Sequence, residues 1–169
     1  MAMTKLETAT HVFLIGLCCL AGGLLVEQRF FSPREDEFSA GDLVGHEVKL
    51  PGANWQVAPF SVLLQLSSTC QFCNQSMPFY RQLMLVRNAQ AAKMPVIVAS
   101  ADAVTAMQKH LEEQQVAVDK VLHSRLEPLH SVTPTVYIVN SRGVVTRAFI
   151  GELDSSAQKE LLAIIQRGR

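Results

Sequence analysis

The stretch Ser67-Ser68-Thr69-Cys70-Gln71-Phe72-Cys73-Asn74-Gln75-Ser76-Met77-Pro78 decides how the rest of the chain is read. An apolar run, Val62-Leu63-Leu64-Gln65-Leu66, leads into it, and an amphipathic run from Phe79 to Val86 leads out. That pattern predicts a buried strand, a short loop, and a helix with two cysteines in its first turn. Two intervening residues bring the cysteines close enough on one turn to form a disulfide. Cys70 falls at the helix N-terminus, where unpaired N–H groups and the macrodipole favour an anion. A thiol placed there drops from a pKa of about 8.5 to roughly 7 or below, so a useful share is thiolate at neutral pH. Cys73, one turn in, is expected to be more buried and to act second. The expectation is a dithiol/disulfide switch.

The same spacing is half of many zinc sites, but zinc needs two further ligands. The remaining cysteines, Cys18 and Cys19, lie in an apolar segment and cannot supply them. No metal site and no cofactor are therefore expected.

The chain has 169 residues, enough for one domain and an appendage. Hydrophobic residues make up 49% and charged residues 18%, which suits a sizeable core and argues against disorder. Fifteen basic residues balance fifteen acidic ones, so there is no electrostatic reason to expect nucleic-acid binding. Four cysteines are too few for a disulfide-stapled scaffold.

From Thr8 to Val26 no Asp, Glu, Lys or Arg occurs. A helix over that span is roughly 28 Å long, close to the thickness of a bilayer core. Residues 1–29 therefore read as an uncleaved membrane anchor; a signal peptide cleaved near Ala21-Gly22-Gly23 is the alternative. Residues 30–40 are polar and charged, contain Pro33, and read as a linker to a domain over 41–169. Lys5 on one side of the apolar run, and Arg29 and Arg34 among acidic residues on the other, leave the orientation open by charge.

Within the domain, 41–45 and 48–52 look like short strands, and Trp55 to Val57 an edge strand or loop. Val62 to Leu66 is the first core strand, with the cysteine loop at its C-terminal end, where open α/β sheets place their chemistry. A helix from Cys70 to about Ala92 contains Pro78. Pro95 to Ser100 is a second strand buried on both faces. Asp102 caps a helix over 103–115, and 116–122 reads as a short strand. Thr135 leads into a strand over 136–139, Asn140 to Gly143 forms a hairpin turn, and 144–150 returns. Asp154 or Ser155 caps a final helix with an apolar stripe of Ala157, Leu161, Leu162, Ile164 and Ile165. Leaving 116–122 aside, the order is β-α-β-α-β-β-α with a small β preface.

That order, with Ser67-Ser68-Thr69-Cys70-Gln71-Phe72-Cys73 after the first core strand, Pro78, Val132-Thr133-Pro134-Thr135, Gly143 and Gly151, resembles the thioredoxin-like fold. It is most similar to the membrane-anchored, extracytoplasmic TlpA/ResA-like (redoxin-type) thiol-disulfide oxidoreductases, over roughly Gly41 to Arg169. The resemblance implies an α/β domain with a central mixed sheet flanked by helices, preceded by one N-terminal transmembrane helix. It implies that Cys70 attacks and Cys73 resolves, and that Pro134 is held in cis beside them, leaving the Thr133 backbone to pair with an extended substrate strand. Thr69, Gln71, Phe72, Thr133 and Pro134 then form the substrate-binding surface. The implied partners are protein thiol or disulfide clients and a membrane thiol-disulfide electron donor or acceptor, with the domain on the extracytoplasmic, periplasmic side.

The chain departs from the family's pattern at three places. Thr69 replaces the aromatic residue before the first cysteine, Leu64 stands where thioredoxin has a buried carboxylate, and Ser76 where many ResA-like proteins have a glutamate. The family's internal acid/base is thus missing, and water or substrate groups are left to carry the proton. Two alternatives share the fold. A copper-handling metallochaperone would draw on His130, although such proteins space their cysteines by three residues. A peroxiredoxin-type peroxidase would use Ser67 ahead of Cys70, but Leu63 stands where its proline belongs. His46, His110 and His123 have weaker claims as ligands, and His11 suits a membrane interface.

Overall fold

The computed structural model describes residues 15–16, 39–91, 94–124, 126 and 132–167. The chain divides into two units, Met1–Glu37 and Phe38–Arg169, and the second holds the cysteine stretch. Apart from residues 15, 16, 39 and 40, the anchor expected over 1–29 and the linker over 30–40 lie outside the described residues. Among the described residues no helix is long and apolar enough to cross a membrane.

The apolar runs of the second unit form a five-stranded mixed sheet. Its strands are β1 (Phe60–Gln65), β2 (Val96–Ser100), β3 (Lys120–His123), β4 (Thr135–Asn140) and β5 (Val145–Ile150), in spatial order β3-β2-β1-β4-β5. β1 pairs in parallel with β2, which pairs in parallel with β3; β4 is antiparallel to both β1 and β5. Among the described residues of this unit there are three α-helices, α1 (Gln71–Asn88), α2 (Val104–Glu113) and α3 (Ser155–Arg167). Residues from Ser61 to Leu66 are all buried, which explains why β1 reads as a continuous apolar run rather than an alternating one.

Strand side chains alternate in direction, so each strand feeds two cores. Val62, Leu64, Val96, Val98, Val136 and Ile138 pack with the helices, among them Tyr80 and Leu83 of α1, Met107 of α2 and Leu161 of α3. Leu63, Ile97, Ala99, Tyr137 and Val139 face the other way, onto Leu43, Val48 and Leu50. Sequence reading expected a sheet flanked by helices. Among the described residues, all three α-helices contribute to one core, and the other is closed largely by the stretch 43–55, which holds no α-helix. Of the two polar residues in β1, Gln65 is met by a buried bond, the Tyr137 hydroxyl donating to its Oε1 at 2.8 Å, while the buried Ser61 hydroxyl has no partner among the described residues.

The preface departs from expectation. Residues 40–43 form a 3-10 turn, and the segment meets the sheet by a single bridge, Glu47 to Val144. Gly45 and Gly52 adopt positive φ, which breaks an extended run, and the apolar residues between them serve as a cover for the sheet face. Trp55–Val57 is also a 3-10 turn, with the Asn54 side chain accepting from Gln56 N–H at 3.1 Å. Asp102 does not cap α2: Ala103 occupies the cap position without a side-chain bond, and the carboxylate is spent on a partner far away in sequence. β3 is shorter and later than the expected 116–122, because α2 ends through Gln115 at φ +56 before the chain straightens. Asp154 caps α3, its Oδ1 accepting from the N–H groups of Ser156 and Ala157 at 2.9 and 2.8 Å.

The register places the site. Gln65, the last residue of β1, sits opposite Thr135, the first of β4, so the loop leaving β1 and the loop entering β4 emerge side by side. At the far end of the same hairpin, Asn140 Oδ1 accepts from Arg142 and Val144 N–H, and Gly143 turns at φ +80 under the Trp55 ring. A Cβ at Gly143 would lie 2.9 Å from Trp55 Cδ1. Gly143→Ala is therefore expected to lower unfolding stability by roughly 1–3 kcal/mol, read from the midpoint of urea denaturation, with β1 and the cysteine loop left in place.

Candidate active site

Helix α1 opens directly after β1. Cys70 is its N-cap, with extended backbone, and Cys70 Sγ accepts the Cys73 N–H at 3.2 Å. A sulfur thus takes the place that a Ser or Asp oxygen usually occupies at a helix start. The Cys70 N–H is held by the Ser67 carbonyl at 3.2 Å, and the Ser67 and Thr69 hydroxyls share a hydrogen bond at 3.1 Å. From the neighbouring loop, the Thr133 carbonyl accepts the Cys70 thiol at 3.3 Å, and the Thr133–Pro134 peptide is cis. Both cysteines are free thiols; Cys70 is half-buried and Cys73 is fully buried.

This geometry splits the two thiols electrically. Burial alone would raise Cys70, but hydrogen bonds from the Cys73 thiol and the Cys73 N–H outweigh it and hold Cys70 below the ordinary thiol range. Cys73 has the opposite balance. Burial, reinforced by its bond to the Cys70 sulfur, pushes it up to about 12. The outer sulfur is the more readily ionised of the two, and the inner one stays protonated at neutral pH.

The other residues singled out from sequence fall around this pair. Thr69, Gln71 and Phe72 are exposed, Thr133 is half-buried, and Pro134 is buried. Phe72 is 55% exposed and Val132 is 41% exposed, so an apolar side chain stands outward next to each cysteine-bearing or proline-bearing segment. Leu64 is buried in the helix-side core, and the Ser76 hydroxyl donates to the Phe72 carbonyl at 2.8 Å, so neither supplies an acid. Among the described residues no group of three or more His, Cys, Asp or Glu could hold a metal ion. His130, the histidine considered for copper, lies outside the described residues, as does His11.

Asp102 was read from sequence as a helix cap, and its place in the site was missed. Its Oδ2 accepts the Ser68 N–H at 2.7 Å, its own N–H donates to Ser100 Oγ at 3.1 Å, and its carbonyl lies 3.0 Å from His123 Nδ1. The end of β2 thereby braces the loop that delivers Cys70. The Ser68 N–H bond is the main reason the Asp102 carboxyl lies below the usual carboxylate range. The available signal was an acidic residue just past the end of a core strand adjacent to the cysteine loop.

Comparison with known proteins agrees with this architecture. No protein-family model matches the chain, and no curated protein sequence matches it. Solved structures do. A secreted thiol-disulfide isomerase from Corynebacterium glutamicum superimposes with a TM-score of 0.51 at 13% identity, covering 64% of this chain and 70% of that one. A Chlorobium tepidum protein assigned as the thiol:disulfide interchange protein DsbE gives 0.52 at 18% identity, covering 75% and 94%. A Neisseria meningitidis protein assigned as a thioredoxin gives 0.51 at 14% identity, covering 69% and 79%. At these identities the likeness establishes the fold, which is thioredoxin-like.

Two measurements test the site. Iodoacetamide at pH 7 is expected to alkylate Cys70 and leave Cys73 unmodified in the folded dithiol, as mapped by peptide mass spectrometry; Cys73 reacts only as pH approaches about 12. Asp102 has a lower pKa folded than unfolded, so its contribution to stability is complete above about pH 4 and is lost as pH falls through the folded value. Asp102→Asn is therefore expected to flatten the fall of the denaturation midpoint below about pH 4.

Proposed function

We propose that this thioredoxin-like chain is a thiol-disulfide oxidoreductase that exchanges disulfides with extracytoplasmic client proteins. The observation that carries the reading is the asymmetry of the two thiols at the start of α1. Cys70 is accessible, accepts the Cys73 N–H and is shifted toward thiolate, while Cys73 is buried and shifted away from it.

The chemistry follows from that order. The Cys70 thiolate attacks one sulfur of a client disulfide; a Cys70–client bond forms and the other client sulfur leaves as thiolate. Cys73 then attacks Cys70, the Cys70–Cys73 bond forms, and the second client sulfur departs and takes up the proton that Cys73 loses. Two electrons pass from the dithiol to the client, and the reverse sequence oxidises a client dithiol. The Thr133 carbonyl lies 3.3 Å from Cys70 Sγ, so a client strand lying along Thr133 would present its sulfur to the attacking atom. Phe72 and Val132, both outward-facing, offer such a strand apolar contact.

The uncharged stretch Thr8 to Val26 supports a second part of the reading, in which the domain is tethered to a membrane and works on its extracytoplasmic side with a membrane-embedded thiol partner as electron donor or acceptor. The metallochaperone and peroxidase alternatives gain no observation of their own.

The test is substitution of each sulfur. Cys70→Ser is expected to abolish disulfide exchange, a loss of at least a thousandfold if it removes the nucleophile. Cys73→Ser is expected to accumulate a mixed disulfide with client proteins, visible as high-mass bands on non-reducing gels that collapse on reduction. Turnover that persists in Cys73→Ser with no trapped species would overturn the assignment.

A further inference from the structure

Removal of a proton from Cys73 is opposed mainly by burial; the Ser67 backbone and the Thr133 side chain favour its thiolate but do not overcome that cost. At neutral pH a thiol with a pKa of about 12 is protonated by a factor of roughly 10^5. Leu64 and Ser76 contribute no acid or base, and the Ser76 hydrogen is already donated to the Phe72 carbonyl.

One polar group in the helix-side core is unused. Tyr80 is completely buried in the same cluster as Cys73, and among the described residues its hydroxyl makes no direct hydrogen bond, although the Ser76 hydroxyl is near enough to act on it. A buried hydroxyl left unpaired destabilises the fold relative to a phenylalanine of the same shape. The fold gains nothing from it in the dithiol state. Tyr80 lies seven residues after Cys73 on α1, two turns along nearly the same face, and a long helical side chain leans back toward the N-terminus. The groups that its hydroxyl senses, Cys73, Ser76 and Cys70, all lie in that direction. Burial, followed by the negative charge that Cys73 would carry, raises the phenol far above its ordinary value, so it remains a hydrogen-bond donor at every pH the reaction uses.

We propose that Tyr80 is a further catalytic residue of the exchange reaction, its hydroxyl donating a hydrogen bond to Cys73 Sγ as that sulfur becomes an anion. The inference rests on the oxidoreductase reading. In the dithiol, Cys73 has Cys70 as a partner. Once Cys70 is bonded to a client, that partner is gone, and with it the Cys70 charge that opposed ionisation of Cys73. Burial remains as the cost, offset in part by the Ser67 backbone and the Thr133 side chain, and the phenol adds to them. Tyr80 keeps its own proton throughout: Cys73 loses one, the departing client sulfur gains one, one S–S bond breaks and another forms. No further oxidant or base is required.

The test separates the two sulfurs in time. Reduced protein mixed with dithiobis(nitrobenzoate) releases one thionitrobenzoate when Cys70 attacks and a second when Cys73 resolves the mixed disulfide. Tyr80→Phe is expected to leave the first phase unchanged and to slow the second by roughly tenfold to a hundredfold, the value of a hydrogen bond to a charged group. The pH midpoint of the second phase is expected to move upward, and thermal stability to hold or rise because the unpaired hydroxyl is gone. A second phase at the unaltered rate overturns the proposal, as does a parallel slowing of both phases with loss of stability. The failures are distinguishable: if the unaltered protein releases no thionitrobenzoate, disulfide exchange itself is refuted, whereas two normal phases in Tyr80→Phe remove only the role of Tyr80.

Discussion

The hydrogen bond from the Cys73 N–H to the Cys70 sulfur organises the rest of this molecule. A helix start leaves its first N–H groups without partners, and here one of them is satisfied by a sulfur instead of an oxygen. The bond holds the Cys70 side chain at the positive end of α1 and at the surface. It also commits Cys73 to the interior, because the residue three further along α1 turns toward the sheet. Accessibility and acidity therefore share one local origin, and the proposed order of reaction follows from them.

The sheet supplies what a helix start cannot. β1 delivers the loop containing Cys70, and its antiparallel partner β4 begins directly opposite, so Thr133 and Pro134 arrive beside the sulfur from 63 residues away. β2, on the other side of β1, ends at Ser100 and sends Asp102 across to the Ser68 N–H. Three strand ends thus converge on one loop. The cysteine loop is held from both sides by strands with nearly every residue buried, which makes it a rigid platform despite its exposed position.

The helix-side core has a double role. Val62, Leu64, Leu83 and Leu161 supply packing, and the same dry surroundings raise Cys73 and Tyr80. Low dielectric penalises an unpaired charge and strengthens any hydrogen bond that relieves it. With no carboxylate at Leu64, a Cys73 anion would meet only neutral donors in this core, and under the proposed mechanism the phenol buried two turns below it is suited to that task.

The residue pattern of this chain was enough to locate the cysteine pair between a buried strand and a helix, the proline loop, and most of the strands and helices. These are local matters: alternation, continuous apolar runs, capping residues and a two-residue gap between cysteines are written in neighbouring positions. The short preface strands misread from 41–52 show the limit, since Gly45 and Gly52 turn the chain where apolar spacing alone suggests extension. Asp102 looks like a helix cap until the Ser68 N–H, 34 residues away, becomes the better partner, and Tyr80 looks like any core aromatic until its hydroxyl is found without one. Which buried polar group meets which, and which is left alone, depends on strand register and helix rotation. Those are properties of the packed chain, decided only when distant segments exclude water from the same space.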